Sequence, residues 1–261
     1  SGCTPSPDIQ CNERVKFGVF YERIDSSFDV VATGHYAKIK EREGVRHLFR
    51  APDPIKDQTY FLSRLDQAQL KRIEFPIGHL EKPEVRDLAD RFDLPNKARR
   101  DSQGICFLGK VRFSEFVRHH LGEKSGDVID IDTGTKLGAH KGYWFFTIGQ
   151  RQGLGFHGGP WYVVGKDTEE NVVYVSHADH YRKRARNTFE VADLHWIVKA
   201  PERSDLQLRV RHGPTLTDCD LDLKDDNTAI VTMKTDDPGI APGQSAVFYN
   251  GEECLGSGSI R

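Results

Sequence analysis

The chain reads as a multidomain protein of α/β plus β class. An α/β segment is expected over residues 1–123, a small central mixed α+β domain over 124–180, and a C-terminal antiparallel β-barrel over 181–261. Three observations predict this. The 261 residues exceed the usual span of about 100–200 for one domain. Apolar residues recur at helical spacing as far as Leu121 and at strand spacing beyond it. After the basic YRKRAR segment, short alternating runs are separated by Asp, Asn, Gly and Pro, as in small barrels and sandwiches.

Taken in order, TPSPDIQCNERVKFG places two prolines and an aspartate ahead of Cys11, predicting a loop that leads into a helix starting near Asn12. FDVVATGHYAKI predicts a buried strand from Phe28 to Thr33, a Gly-His turn and a second extended piece. A continuous apolar strand that ends in glycine is what a parallel α/β sheet supplies at its ligand-bearing edge. LDQAQLKRI offers Asp66 as an N-cap. KPEVRDLADRF has Pro83 at the first helical position, with Val85, Leu88, Ala89 and Phe92 on one face. FSEFVRHHLG predicts a helix with Phe113, Phe116, Val117 and Leu121 inward and Gly122 as its stop. GDVIDIDTGTKLG and PWYVVGKDTEENVVYVS each read as a hairpin. FEVADLHWI, LQLRVRH, DCDLDL, TAIVTMK and SAVFYN follow as barrel strands.

Hydrophobic content of 37%, charged content of 29% and a net charge of -2 fit a globular chain, with no apolar run long enough to span a membrane. Without a global basic excess, a nucleic-acid surface must come from local clusters such as KARRD (97–101) and YRKRAR (181–186). The opening SGCTPSPDIQ has neither a basic nor an apolar leader region, so a reducing cytoplasmic setting is expected. The five cysteines are scattered and form no CxxC pair, which argues against both a disulfide framework and a zinc site. HADH (177–180) is read as surface loop.

DSQGICFLG sets Cys106 after Gly104, with Arg99 and Arg100 upstream. Nearby positive charge and flexible backbone favour the reactive thiolate, although a small buried hydrophobe is the alternative role for such a thiol. Cys11, before a helix N-terminus, has the same potential. Cys219 and Cys254 lie in strand-like runs and read as structural, Cys3 as an exposed bystander. Lys56, Asp57 and Gln58 form a polar triplet that suits either phosphate and base edges or a capping turn. The glycines of FTIGQRQGLG serve turns.

CTPSPDIQCNERVKFG, ATGHYA, KDQTYFL, DSQGICFLG, FTIGQRQGLG, LHWI and PGQSAVFYNGEECLGSG resemble, in order and approximate spacing, the motifs of the MnmA/TrmU family of tRNA 2-thiouridine synthases. The resemblance runs the length of the chain. It implies a PP-loop, Rossmann-like first domain that uses ATP with Mg2+ to adenylate the wobble uridine of a tRNA. Sulfur then arrives as a cysteine persulfide from a carrier protein fed by a cysteine desulfurase. Cys106 matches the persulfide-bearing cysteine, and Cys11 the partner that releases sulfide and forms a Cys11–Cys106 disulfide. Ser6, Pro7 and Asp8 match the segment that holds the target base, with Asp8 also a proton-transfer group. Gly34 matches an ATP contact. His35, Lys56, Asp57, Gln58, Arg209, Val210 and Gln244 match tRNA contacts.

Three differences stand out. No SGGxDS pyrophosphate loop occurs in these 261 residues, so a member with an incomplete ATP site is expected. Ser6 replaces an asparagine, and Val210 a tyrosine beside which Arg211 shares the contact. A monomer is expected. Two other readings stay open: a tRNA-binding fragment without ATP-dependent activity, and a PP-loop pyrophosphatase with a different substrate.

Overall fold

A computed structural model describes residues 2–25, 27–98 and 113–261. The first helical run is α1 (Pro7–Gln10), a π-helical stretch (Cys11–Val19) and α2 (Phe20–Arg23). It therefore starts at Pro7, earlier than the sequence predicts, because proline's fixed φ suits the first helical position and Ser6 adopts the extended N-cap conformation. The predicted strand from Phe28 to Thr33 shrinks to β1 (Val31–Ala32). Phe28, expected in its core, is 57% exposed.

β2 (Ala37–Arg42) and β3 (Val45–Arg50) form a hairpin around Glu43 and Gly44, both at positive φ. Then come α3 (Thr59–Leu62), α4 (Gln67–Leu70) and β4 (Ile73–Glu74), the last pairing in parallel with β1. Asp66 caps α4 as predicted: its side chain accepts from the Gln69 amide at 2.7 Å while the Gln69 side chain accepts from the Asp66 amide at 3.0 Å.

α5 (Lys82–Arg91) forms where predicted, but none of its residues is buried and Phe92 is 67% exposed. Val85, Leu88 and Ala89 of its apolar stripe are half-buried. Over residues 114–121 of α6 (Phe113–Leu121) only Val117 is buried; Phe116 and Leu121 face outward, contrary to the expected inward face, and the side chain of Phe113 lies outside the described residues. Gly122 ends that helix at φ 69°.

The central domain is a four-stranded sheet in the order β6-β5-β8-β7, built from β5 (Gly126–Asp130), β6 (Lys136–His140), β7 (Trp161–Asp167) and β8 (Val172–His177). Both predicted hairpins are present, and β5 joins β8 in parallel. HADH is not all loop: α7 (Ala178–Tyr181) follows β8, with His177 as its cap.

The barrel comprises β9 (Arg186–Trp196), β10 (Asp205–Arg209), β11 (Thr217–Leu223), β12 (Thr228–Asp237), β13 (Ser245–Asn250) and β14 (Glu253–Ile260). These strands run β13-β10-β11-β12-β9-β14, and a β13–β14 pairing closes the ring. β14 also pairs with β3, setting Cys254 opposite Leu48, so the β2–β3 hairpin extends the barrel sheet. On its other side β14 comes close to β9 at Gly256, where a Cβ would lie 2.1 Å from the His195 carbonyl oxygen.

Three apolar clusters result. One fills the barrel around Val231 and Phe248. A second, smaller one belongs to the central sheet around Val128 and Val173. The third joins Ile9, Phe17 and Leu62 of the first segment to Val247, Tyr249 and Cys254 of the barrel. Burying each such side chain contributes about 1.5–3 kcal/mol, so this shared cluster binds the first segment to the barrel.

Candidate functional site

A cleft of ≈490 Å3 opens between the π-helical stretch, the segment after β1 and the start of α3. Its walls include Lys16, Thr33, Gly34, His35 and Gln58. Three expected contact residues, Gly34, His35 and Gln58, are thus brought together. Gly34 presents exposed backbone. The Gln58 side chain is held by accepting from the Tyr36 amide at 3.0 Å, while the Gln58 amide donates to the Tyr36 carbonyl at 2.9 Å.

His35 is only 7% exposed, its ring between those of Phe17 and Phe75 at centroid distances of 5.7 and 5.6 Å. Burial, reinforced by the Lys16 charge, lowers its pKa to about 3, so the imidazole is neutral at ordinary pH. The Lys16 ammonium can only donate, which makes Nε2 the acceptor at 3.2 Å and leaves the ring proton on Nδ1 to donate to Thr33 Oγ1 at 2.7 Å. Lys16 has no counterpart among the residues expected from the sequence. Its only signal is a spacing of five from Cys11, which in a π-helix with i→i+5 bonds is about one turn.

Cys11 and the expected base-holding residues lie along the same helical run. Ser6 is its N-cap, Pro7 and Asp8 form its first turn, and Asp8 places a carboxylate where the helix dipole favours it. Cys11 is half-buried in the second turn, with its amide already bonded within the helix, so the exposed N–H groups expected to stabilise its thiolate are spent elsewhere. Beside it Asn12 is buried and donates to the Phe61 carbonyl at 3.0 Å, clamping the run onto α3. Cys106, with Arg99 and Arg100, lies outside the described residues. No disulfide forms among the described residues. Cys219 and Cys254 are buried as expected, and desolvation raises both thiols, Cys219 to about 12.

Asp57 and Arg209, both expected to touch tRNA, turn toward each other. Their side chains are 0% exposed and paired at 2.5 Å. Thr59 Oγ1 donates to the same carboxylate, and Arg50 Nε approaches it at 3.5 Å. Val210 is buried beside the pair, whereas Lys56 stays half-exposed and Arg211 exposed, the latter paired with Asp237. Gln244 donates to the Thr4 carbonyl at 2.6 Å, tying the barrel to the segment ahead of Ser6. His212 stacks on Phe61 at 4.6 Å. Among the described residues no group of three His, Cys, Asp or Glu side chains is arranged to hold a metal ion. No helix of the described residues is long and apolar enough to cross a membrane.

Comparison with known proteins accounts for this architecture segment by segment. The profile described as tRNA methyl transferase HUP domain matches residues 1–110, that of the tRNA methyl transferase PRC-barrel domain 114–177, and that of the aminomethyltransferase beta-barrel domain 186–260. The tRNA-specific 2-thiouridylase MnmA 1 of Bacteroides thetaiotaomicron is 45% identical over 266 residues, covering 99% of this chain and 75% of its own length. The MnmA proteins of Parabacteroides distasonis and Porphyromonas gingivalis are 41% and 42% identical, again across 99% of this chain and 74% of theirs. With identity at this level sustained through all three folded parts, the chain belongs to the MnmA family of tRNA-specific 2-thiouridylases.

Proposed function

We propose that this protein thiolates tRNA, replacing the C2 oxygen of the wobble uridine with sulfur in an ATP-dependent reaction. The observation that supports the reading best is spatial. The base-holding segment Ser6–Asp8 and Cys11 share one helical run with Lys16, and that run forms a wall of the cleft holding Gly34, His35 and Gln58.

Uridine O2 is a poor leaving group. Its attack on the α-phosphate of ATP expels pyrophosphate, and the oxygen then departs with AMP. A persulfide on Cys106 is the sulfur donor. When the Cys11 thiolate attacks the Cys106 sulfur, the outer sulfur leaves as sulfide to displace AMP from C2, and a Cys11–Cys106 disulfide remains. A cellular thiol reductant returns both cysteines to thiols, and a carrier persulfide reloads Cys106. Asp8 is placed to hold the flipped base and to take a proton.

The burial of Asp57 and Arg209 changes what they contribute. We assign them to fixing Lys56 and Gln58 against the barrel, and leave direct tRNA contact to Lys56, Gln58, Arg211 and Gln244. The domain divisions at 123/124 and 180/181 remain our proposal for the boundaries.

The test is Cys106→Ser in the full chain, with 2-thiouridine in tRNA measured by mass spectrometry. Thiolation should fall to background. Undiminished thiolation would sink the persulfide assignment and favour a pyrophosphatase acting without a thiol.

A further inference from the structure

We propose that the imidazole of His212 is a stacking platform for an unstacked base of the tRNA, in the loop that carries the target uridine. This rests on the tRNA-thiolation reading and names a recognition element beside its site. Three observations carry it.

First, the ring is exposed yet held in place. One face of His212 lies on Phe61, with centroids 4.6 Å apart and planes 23° apart, and the Tyr60 ring meets it edge-on at 6.2 Å. Its Nε2 lies 3.2 Å from the Asp57 carbonyl oxygen, which can only accept, so Nε2 carries the proton and donates. Tyr60 is buried and Phe61 half-buried, so the rings that hold it are rooted in the core. His212 itself is exposed, and with Phe61 under one face its open area is the other. A ring fixed in advance loses little rotamer freedom when a base settles on it.

Second, the groups that fix this ring tie it to the site. Asp57 is followed by Gln58 of the cleft wall, and the Phe61 carbonyl accepts from Asn12, the residue after Cys11. α3, which carries Phe61, also packs against α1 and the π-helical stretch. The ring therefore stands where the barrel, the cleft wall and the run bearing Ser6–Asp8 meet.

Third, the surroundings suit a nucleobase. Arg211, paired with Asp237, is exposed and Lys56 is half-exposed, so the ring is a single aromatic face in a polar setting. That is too little apolar area to seat a protein partner, whereas one ring is enough for one base. A uridine drawn out of its stack leaves loop neighbours unstacked as well, and each of them has a π-face to offer.

A tRNA transcript with uridine at the wobble position is titrated with the full chain over a series of salt concentrations, together with transcripts that lack the base of each other loop nucleotide in turn. The wild-type chain is compared with His212→Ala, His212→Asn and His212→Phe, and thermal melting controls for folding. His212→Ala should lose about tenfold in affinity, the size of one stack of a base on an aromatic ring. The slope of log K against log salt should stay, because stacking releases no counterion. His212→Asn, which keeps a donor without the ring, should lose as much, and His212→Phe, which keeps the ring without the donor, should retain most of the affinity. One transcript lacking a base should bind the wild-type chain about tenfold more weakly and lose nothing further with His212→Ala.

A folded His212→Ala that matches the wild type within about twofold overturns this inference and leaves the functional reading standing. A shallower salt slope also overturns it, since that marks a phosphate contact. Binding kept by His212→Asn and lost by His212→Phe overturns it too, because the hydrogen bond to Asp57 then matters and the ring does not. If His212→Ala fails to fold, the wild-type chain decides alone: equal affinity for every transcript lacking a base overturns the platform. A wild-type chain that binds none of the transcripts overturns both this inference and the functional reading.

Discussion

A carboxylate and a guanidinium taken wholly out of water lose several kcal/mol of hydration each, and only close pairing and further hydrogen bonds offset that. Asp57 and Arg209 have both kinds of compensation on the acidic side, from Thr59 and Arg50, while Nε and Nη2 of Arg209 are buried without a hydrogen-bond partner. Removing one partner is therefore worse than removing both. Arg209→Met should destabilise the protein by about 3–5 kcal/mol, and adding Asp57→Asn should recover part of the loss. Urea titration of Arg209→Met, Asp57→Asn and the double variant measures this; additive effects would show the pair is not coupled.

His35 makes a second prediction at this scale. Its folded pKa of about 3 lies below the ordinary value of 6.5, so above pH 6.5 neither state binds a proton and stability is independent of this group. Below 6.5 the unfolded chain takes up a proton that the folded one does not, and stability is lost progressively as pH falls toward about 3, at about 1.4 kcal/mol per unit. His35→Gln, which cannot titrate, should flatten this part of a stability-against-pH curve. A curve unchanged by the substitution would mean the ring is solvated.

Among the elements, the β2–β3 hairpin carries the most consequence and was the least legible. EREGVRH contains the signal, a two-residue turn with glycine second, but KIKER and RHLFR are too charged to stand out as strands. Charge is tolerated there because β2 is the edge of the sheet, where water reaches its side chains. Gly44 sits at φ 76° with nothing within 4 Å of where a Cβ would be, so Gly44→Val costs backbone strain alone. A β-branched residue at positive φ should lower stability by about 1–3 kcal/mol by thermal or urea unfolding. Where local chemistry decides an element, as with the Asp66 cap, the Gly122 stop and the alternating barrel strands, the sequence reading located it. It failed where distant partners decide. The Phe28–Thr33 strand and the inward placement of Phe92, Phe116 and Leu121 were inferred from apolar spacing, and spacing does not say whether anything packs against that face. Burial of Asp57 and Arg209 was hidden for the same reason, since each reads as a surface charge until its partner, 152 positions away, is placed beside it.

At the scale of the molecule, the shared cluster from Ile9 to Cys254 makes the first segment and the barrel one cooperative body, while the central sheet keeps its own core. Calorimetry of the intact chain should resolve a smaller transition for residues 124–180, separate from a larger one for the rest. Amides of β3 and β14 should exchange with a common opening free energy, and faster exchange of β3 alone would show that the hairpin opens without the barrel. The motif order fixed the family, but the coupling between its parts was visible only in the fold.

The strand pairing of β3 with β14 has one more effect on a tRNA held as proposed. Because the β2–β3 hairpin continues the barrel sheet and the Asp57–Arg209 pair fixes the residue next to Gln58 of the cleft wall to the barrel, no hinge among the described residues separates the surface that would grip the nucleic acid from the place where its base is altered. The protein then behaves as a ruler, accepting a uridine because it lies at a set distance from the gripped part of the molecule. Altering the length of the RNA between those two points should abolish modification while leaving binding intact.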